Sequence, residues 1–93
     1  MIFHITTSEA WAAARTSGMY RAASLDSEGF IHFSFASQLA DTAELLFAGV
    51  SGLVVLSVDD SALDIVVEDG FPHLYSPLPV TSVIEVRPLS SVL

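Results

Sequence analysis

The chain of 93 residues is long enough for one small domain, which excludes a two-lobed nucleotide-binding fold and a TIM barrel of roughly 250 residues. Hydrophobic residues form 52% of the sequence and charged residues only 15%, so we expect a folded chain; without cysteine, it has no disulfide, thiolate metal site or cysteine nucleophile. Eleven acidic residues outnumber three arginines and give a net charge of −8, which argues against nucleic acids and anionic membranes as partners, because both are bound through clustered basic side chains.

The first predicted elements are a strand and a helix. Residues 2–5 are mostly β-branched or aromatic, which is typical of a strand. Thr6 and Glu9 have the spacing of a capping box, so a helix is predicted over residues 9–15, and Gly18 is placed to end it in a left-handed conformation. The N-terminus has no basic start and no long apolar run, so we expect a cytoplasmic protein.

The region around the second histidine is predicted to contain a turn and then a strand. Residues 19–25 are ambiguous, with a short extended piece as the favoured interpretation, and residues 26–29 have the composition of a turn. Residues 30–34 alternate in a way that predicts a strand with Ile31 and Phe33 facing the core. His32 and Ser34 then face a second layer, a cleft or solvent.

The remaining elements are predicted to be one helix and several strands. Leu39, Ala43 and Leu46 or Phe47 recur at helical spacing within residues 37–48, and Gly49 is placed to end that helix. Residues 53–58 are almost continuously apolar and predict the most buried strand, while residues 65–67 and 83–87 predict two further strands. Residues 71–79 contain three prolines, which predicts a structured loop or an edge segment.

The order of these elements favours an α+β domain. Strands and helices alternate only at the start of the chain, and the second half is rich in strands. This order predicts a single compact domain over residues 1–93, in which a curved, mixed or mostly antiparallel sheet carries two packed helices.

Three histidines are the strongest candidates for a functional site. His4, His32 and His73 each lie between apolar residues on a strand or a strand-like segment, where an imidazole needs hydrogen-bond partners. One interpretation is that a backbone carbonyl satisfies each histidine separately. A second is that they converge on one ligand site with Ser34 and Tyr75. A third is a metal site with Glu68, although the H-E-x-x-H spacing of zinc enzymes is absent.

Three sequence blocks resemble a known bacterial family. They are Phe3-His4-Ile5-Thr6, the run from Gly29 to Ser34 (G-F-I-H-F-S), and the run from Phe71 to Tyr75 (F-P-H-L-Y). Together they resemble the family called domain of unknown function 952, and the resemblance covers essentially the whole chain. That family has itself been grouped with the ADP-ribosyltransferase-like fold.

The resemblance implies an NAD-using site. His4 with Thr6 is similar to the position that holds a ribose of NAD, and His32 or Phe33 is similar to the side chain that stacks on nicotinamide. Glu68 or His73 takes the place of the catalytic glutamate. The candidate catalytic residues are therefore His4, His32, His73 and Glu68, and the candidate binding residues are Thr6, Arg21, Ser34 and Tyr75.

Three classes of function follow. The first is a small-molecule or nucleotide site, with ADP-ribosyltransferase-like use of NAD as its enzymatic form. The second is a non-catalytic binding or regulatory module in which the histidines are structural. The third is a metal-dependent hydrolase that uses the same histidines. Neither the substrate nor the oligomeric state is predicted.

Overall fold

The computed structural model describes residues 1–92 and confirms the α+β class. The strands and helices of these residues are, in chain order, β1 (Ile2–Thr7), α1 (Ser8–Ser17), β2 (Met19–Tyr20), α2 (Ala23–Ser27), β3 (Ile31–His32), α3 (Leu39–Phe47), β4 (Leu53–Val58), β5 (Ile65–Glu68), β6 (Phe71–Leu74), β7 (Leu78–Pro79), β8 (Val83–Pro88) and α4 (Leu89–Val92). Two short 3-10 turns, Ala36–Gln38 and Val80–Ser82, precede α3 and β8. The two predicted helices are present, and α2 and α4 are additional short ones. Across residues 1–92, every helix falls short of the length and apolar character needed to cross a membrane.

The strands of residues 1–92 pair only in the antiparallel direction, and they form three small sheets in place of the single curved sheet that we expected. Their strand orders are β1-β4-β8, β3-β6-β5 and β2-β7. β4 is the central strand of the first sheet and almost all of it is buried, which confirms the prediction for residues 53–58. Two backbone hydrogen bonds join β1 to the segment that follows β3. The Phe3 amide donates to the Ser34 carbonyl at 2.9 Å, and the Ser34 amide donates to the Phe3 carbonyl at 2.8 Å.

The first sheet is covered on both faces at β1 and β4, whereas most of β8 is exposed. One face carries Ile2 and Leu56 into a core that also contains Ile31 and Leu74 from the β3-β6-β5 sheet. The other face belongs to a second core, in which α3 packs on residues of β1 and β4; its buried members are Ile5, Leu39, Ala43, Leu53 and Val55. The predicted apolar stripe of α3 is thus confirmed at Leu39 and Ala43, and at its third position Phe47 packs against this core, whereas Leu46 is 66% exposed.

The start of α1 lies one residue later than the capping-box prediction. Thr7 is the N-cap, and its hydroxyl accepts a hydrogen bond from the Ala10 amide at 3.1 Å. Thr6 is still a strand residue, paired with Val54, and its side chain is buried. The strand ladder therefore continues past the predicted cap. Gly18 ends the helix with φ 88°, as predicted.

The predicted strand over residues 30–34 is shorter than expected. β3 covers only Ile31 and His32, although Ile31 and Phe33 are both buried, as the alternation predicts. The amide of Phe33 donates to the carbonyl of Pro72 at 3.0 Å, but Pro72 has no N–H with which to return the hydrogen bond. The regular pairing of β3 with β6 ends there for that reason.

The prediction of a loop or edge for residues 71–79 is wrong for its first part. β6 is the middle strand of the β3-β6-β5 sheet, and Pro72 is almost fully buried within it. In an antiparallel strand the N–H and C=O of one residue face the same neighbour, so the missing N–H of Pro72 faces Phe33, where the ladder already stops. One absent hydrogen bond is the whole cost of the central proline. The later part agrees better, because Leu78–Pro79 pairs only with β2.

A two-residue turn joins β5 to β6. Asp69 has φ 53° and Gly70 has φ 82°, the two positive values of a type I′ hairpin turn, and Glu68 pairs with Phe71 across it. The Gly70 carbonyl also accepts a hydrogen bond from the Gln38 side-chain amide at 2.8 Å, which ties the turn to the segment before α3.

We expect Gly70→Ala to lower the free energy of unfolding by about 1–2 kcal/mol, because a side chain at this positive φ is strained. Urea denaturation measures the change. The matched control is Asp69→Asn at the neighbouring position, where asparagine tolerates positive φ and a change within about 0.5 kcal/mol is expected. Equal stability of Gly70→Ala and the wild type would contradict the assigned turn.

Candidate functional site

The three histidines lie on three different strands and meet in one region of the molecule. His4 is on β1, His32 on β3 and His73 on β6. His4 Nδ1 lies 2.6 Å from the carbonyl oxygen of His32. The rings of His32 and His73, which are paired across β3 and β6, have centroids 5.4 Å apart. The fold therefore brings together the three side chains that the sequence singles out, and each of them has different partners.

His4 is buried, and both of its ring nitrogens have protein partners. Nδ1 contacts the His32 carbonyl, and Nε2 lies 2.7 Å from the Tyr20 hydroxyl, which in turn lies 2.9 Å from the Thr6 hydroxyl. Burial lowers the pKa of His4 to about 4, although the hydrogen bond to the His32 carbonyl opposes this shift. Burial also raises the pKa of Tyr20. His4 and Tyr20 are therefore both neutral at neutral pH.

These protonation states define the direction of the hydrogen bonds around His4. A carbonyl only accepts, so Nδ1 carries the proton of the neutral ring and Nε2 is an acceptor. Tyr20 donates to Nε2, and the hydroxyl of Thr6 is left to donate to the oxygen of Tyr20. The carbonyl interpretation of the sequence thus holds for His4, with Tyr20 as its second partner.

Glu68 accepts hydrogen bonds from two side chains on the same face of the β3-β6-β5 sheet. Its Oε1 lies 2.8 Å from His73 Nδ1 and also accepts from the Tyr75 hydroxyl. The hydrogen bonds from Tyr75 and from His73 hold the pKa of Glu68 below its usual value. The same contact with the Glu68 carboxylate raises the pKa of Tyr75. At neutral pH, Glu68 is an ionised acceptor and Tyr75 keeps its proton.

Phe30 packs against both histidines of this sheet face. Its ring is stacked on that of His73, with centroids 4.1 Å apart and 22° between the planes, and it lies 4.7 Å from the ring of His32. The Tyr75 ring is 5.3 Å from Phe30. His32 is half exposed, and its Nε2 lies 3.0 Å from a carboxylate oxygen of Glu28. The result is an aromatic surface with a carboxylate beside each imidazole.

Two adjoining cavities, which we call the groove, open beside these side chains. The inner cavity has a volume of about 270 Å³ and reaches His4 and Tyr20. The outer cavity has a volume of about 330 Å³ and reaches Phe30, Glu68 and His73. The two cavities share four lining residues, which are His32, Phe33, Thr42 and Leu46. The groove therefore runs between α3 on one side and strands β1, β3 and β6 on the other.

The other predicted binding residues lie at different distances from the groove. Ser34 is buried, and its hydroxyl donates to Thr42 Oγ1 at 3.2 Å, directly behind the cavity wall. Arg21 forms an exposed ion pair with Asp26 at 2.6 Å and lines neither cavity. Thr6 reaches the groove only through Tyr20. The catalytic and cofactor-binding roles assigned from the sequence stay predictions for all of these residues.

The sequence patterns missed several groove residues. Tyr20 and Thr42 are separated from the histidines by many positions and belong to no motif. Glu28 precedes His32 by four residues, but the turn composition around it gave no reason to pair them. Phe30 alternates with His32, so its position on the same sheet face was the one available signal. Leu46 was assigned to the core stripe of α3.

A metal centre has no set of ligands in the described part of the chain. Among residues 1–92, no three histidine, aspartate or glutamate side chains are arranged to hold one ion. Both nitrogens of His4 are occupied by Tyr20 and a carbonyl, which removes it from any set with His32 and His73.

We expect the stability of the protein to fall as the pH decreases from about 6.5 to about 4. The unfolded chain binds a proton on His4 in this range, whereas the folded chain does not, so acid favours unfolding. The loss amounts to about 3 kcal/mol at the lower end of the range. Urea denaturation across the range measures it.

The variants His4→Asn and His32→Asn form a matched pair for this measurement. His4→Asn removes the buried titrating group, so its stability at neutral pH is lower but nearly independent of pH down to about 5, below which carboxylates with a lowered pKa such as Glu68 add a shallow loss. His32→Asn changes a half-exposed ring and keeps the dependence of the wild type. A wild-type slope in His4→Asn would refute the assignment to His4.

The comparisons with known proteins agree with this fold. No curated protein matches the chain. The crystal structure of protein CC0527 from Caulobacter crescentus is 35% identical, with a TM-score of 0.86 over 94% of this chain and 83% of that one. The solution structure of CC0527 is 34% identical, with a TM-score of 0.77 over 94% and 82% of the two chains. Residues 5–86 match the family described as "Protein of unknown function (DUF952)". The chain therefore belongs to the DUF952 family.

Proposed function

We propose that this protein binds a small molecule with a flat ring in the groove between α3 and strands β3 and β6. The single observation that carries the proposal is the continuity of the two cavities through His32, Phe33, Thr42 and Leu46. Their volumes approach the range of small-molecule sites, and a ligand that spans both would lie in a half-open groove.

The walls of the groove favour a ligand with an apolar body. Leu46 is 66% exposed, and Phe30 and Phe71 line the outer cavity with aromatic surface. A ring that covers these side chains removes apolar surface from water, which stabilises the complex by about 25 cal/mol for each Å² buried. The few polar groups among them orient the ligand.

The charges around the groove favour a neutral or positively charged ligand. Neither cavity is lined by an arginine, and the sequence has no lysine. Arg21 is already paired with Asp26, and Arg87 donates to the Ser91 carbonyl. A ligand with several phosphates would depend on backbone N–H groups and neutral hydroxyls such as that of Thr42, next to the ionised carboxylate of Glu68.

ADP-ribosyl transfer from NAD is the second candidate function, and Glu68 is the observation that favours it. In that reaction the bond between ribose C1′ and nicotinamide breaks, the electron pair leaves with nicotinamide, and an acceptor bonds to C1′ and releases its proton. An ionised carboxylate near C1′ stabilises the positive charge that develops there. His4 takes part only if a ribose hydroxyl replaces Tyr20 at Nε2.

We expect benzyl alcohol to bind in the groove of the ¹⁵N-labelled protein and to shift the amide NMR signals of residues that line both cavities. Leu46→Trp fills the groove and is expected to weaken binding by about tenfold or more. Leu45→Trp is the matched control, because Leu45 is 83% exposed and lines neither cavity of the groove. Equal binding by the two variants would place the ligand elsewhere.

The NAD-using candidate predicts release of nicotinamide when the protein is incubated with NAD. Glu68→Gln removes the charge at constant shape and is expected to slow the release by about 100-fold or more. Glu44→Gln makes the same change of charge on the exposed outer side of α3 and keeps the rate. A rate equal to that of NAD without protein would remove this candidate and leave the binding function.

A further inference from the structure

We infer that the outer cavity binds a protonated amine, which donates a hydrogen bond to His73 Nε2 beside the carboxylate of Glu68. The inference rests on the proposed function, because it names the chemical class of the group that the groove recognises. Three observations carry it: the open nitrogen of His73, the excess of acceptors, and the aromatic surface around them.

His73 is nine-tenths buried and keeps one nitrogen open to the outer cavity. The side chain is 10% exposed, and its Nδ1 lies 2.8 Å from Glu68 Oε1. A carboxylate accepts, so Nδ1 is the donor, and Nε2 of the neutral ring is an acceptor. No group of residues 1–92 forms a hydrogen bond with Nε2. Every fully buried polar side-chain atom of these residues has a partner, so Nε2 is not fully buried. Nε2 therefore opens into the cavity that His73 lines.

Most of the other polar side chains of the outer cavity are also acceptors; the exception is Thr42, whose hydroxyl accepts from Ser34 and still has its own proton to donate. Glu68 and Asp69 both line it with carboxylates. His32 donates through Nε2 to Glu28, so the remaining nitrogen of its neutral ring is an acceptor as well. Because the hydroxyl of Tyr75 already donates to Glu68, it is not available to an anionic ligand. A ligand satisfies the carboxylates and imidazoles of this cavity only if it supplies N–H or O–H donors.

Aromatic faces beside the carboxylates favour positive charge on that donor. Phe30 is stacked on His73, and Tyr75 lies 5.3 Å from Phe30. Phe71 lines the same cavity. The π faces of such rings attract cations, and the ionised Glu68 adds a full opposite charge within the same wall. A neutral donor would gain the hydrogen bond alone, whereas an ammonium group gains all three interactions.

Four probes with one common ring test the inference by NMR titration of the ¹⁵N-labelled full chain. Benzylammonium has charge and N–H donors, benzyltrimethylammonium has charge without a donor, benzyl alcohol has a neutral donor, and benzoate is an anion. We expect benzylammonium to bind with a Kd about tenfold or more below that of benzyl alcohol. Benzyltrimethylammonium falls between the two, and benzoate is the weakest.

The variant Glu68→Gln locates the selectivity, with Glu44→Gln on the outer side of α3 as the matched control. Glu68→Gln keeps the shape of an exposed side chain and removes its charge. The variant is expected to weaken benzylammonium by about tenfold while changing benzyl alcohol by less than about twofold. Glu44→Gln makes the same change in net charge and leaves both values unaltered.

The possible outcomes separate the inference from the proposed function. Equal Kd values for benzylammonium and benzyl alcohol, both bound in the groove, would overturn the inference and leave the groove as a binding site. The same result follows if Glu68→Gln and Glu44→Gln behave alike. If none of the four probes shifts the groove signals, both the inference and the proposed function fail.

Discussion

One imidazole ring connects the three sheets of this protein. His4 projects from β1 of the first sheet, its Nδ1 bonds the carbonyl of His32 in the β3-β6-β5 sheet, and its Nε2 bonds the hydroxyl of Tyr20 in the β2-β7 sheet. Only a neutral ring can do this, with one nitrogen as donor and the other as acceptor. The groove lies where these sheets meet, so its shape depends on a side chain that itself offers no free nitrogen to a ligand.

The three histidines have nearly the same sequence context and different tasks. Both nitrogens of His4 have protein partners, whereas His73 and His32 each pair one nitrogen with a carboxylate and keep the other available. Hydrogen-bond partners separate them: His4 and His73 are almost equally buried and each lines a cavity, but both nitrogens of His4 have protein partners, whereas His73 has a partner only at Nδ1. The acidic composition fits this division, because Glu28 and Glu68 orient these two imidazoles, and few cations compete for the carboxylates.

Segments with a clear apolar pattern were predictable from the sequence, and very short segments were not. The continuous apolar run of β4 and the alternation of Ile31 with Phe33 are such patterns, and both predictions are confirmed. β2 contains only two residues, which is too few to show a periodic pattern. The position of Tyr20 and its contact with His4 could therefore not be predicted. The prediction for Pro72 was wrong because proline is usually excluded from central strands for lack of an N–H. Here the missing N–H faces Phe33, where the pairing of β3 with β6 already ends. The family blocks indicated that the histidines belong together, but only the three-dimensional structure distinguishes a structural ring from an available one.

The exposure of Leu46 has a thermodynamic consequence for any ligand of the groove. This leucine and the aromatic side chains near it hold water against apolar surface in the free protein, and a ligand that covers them releases that water. Burial of apolar surface lowers the heat capacity, so the enthalpy of binding becomes more negative as the temperature rises. The groove thus couples recognition to temperature through a residue that makes no polar contact at all.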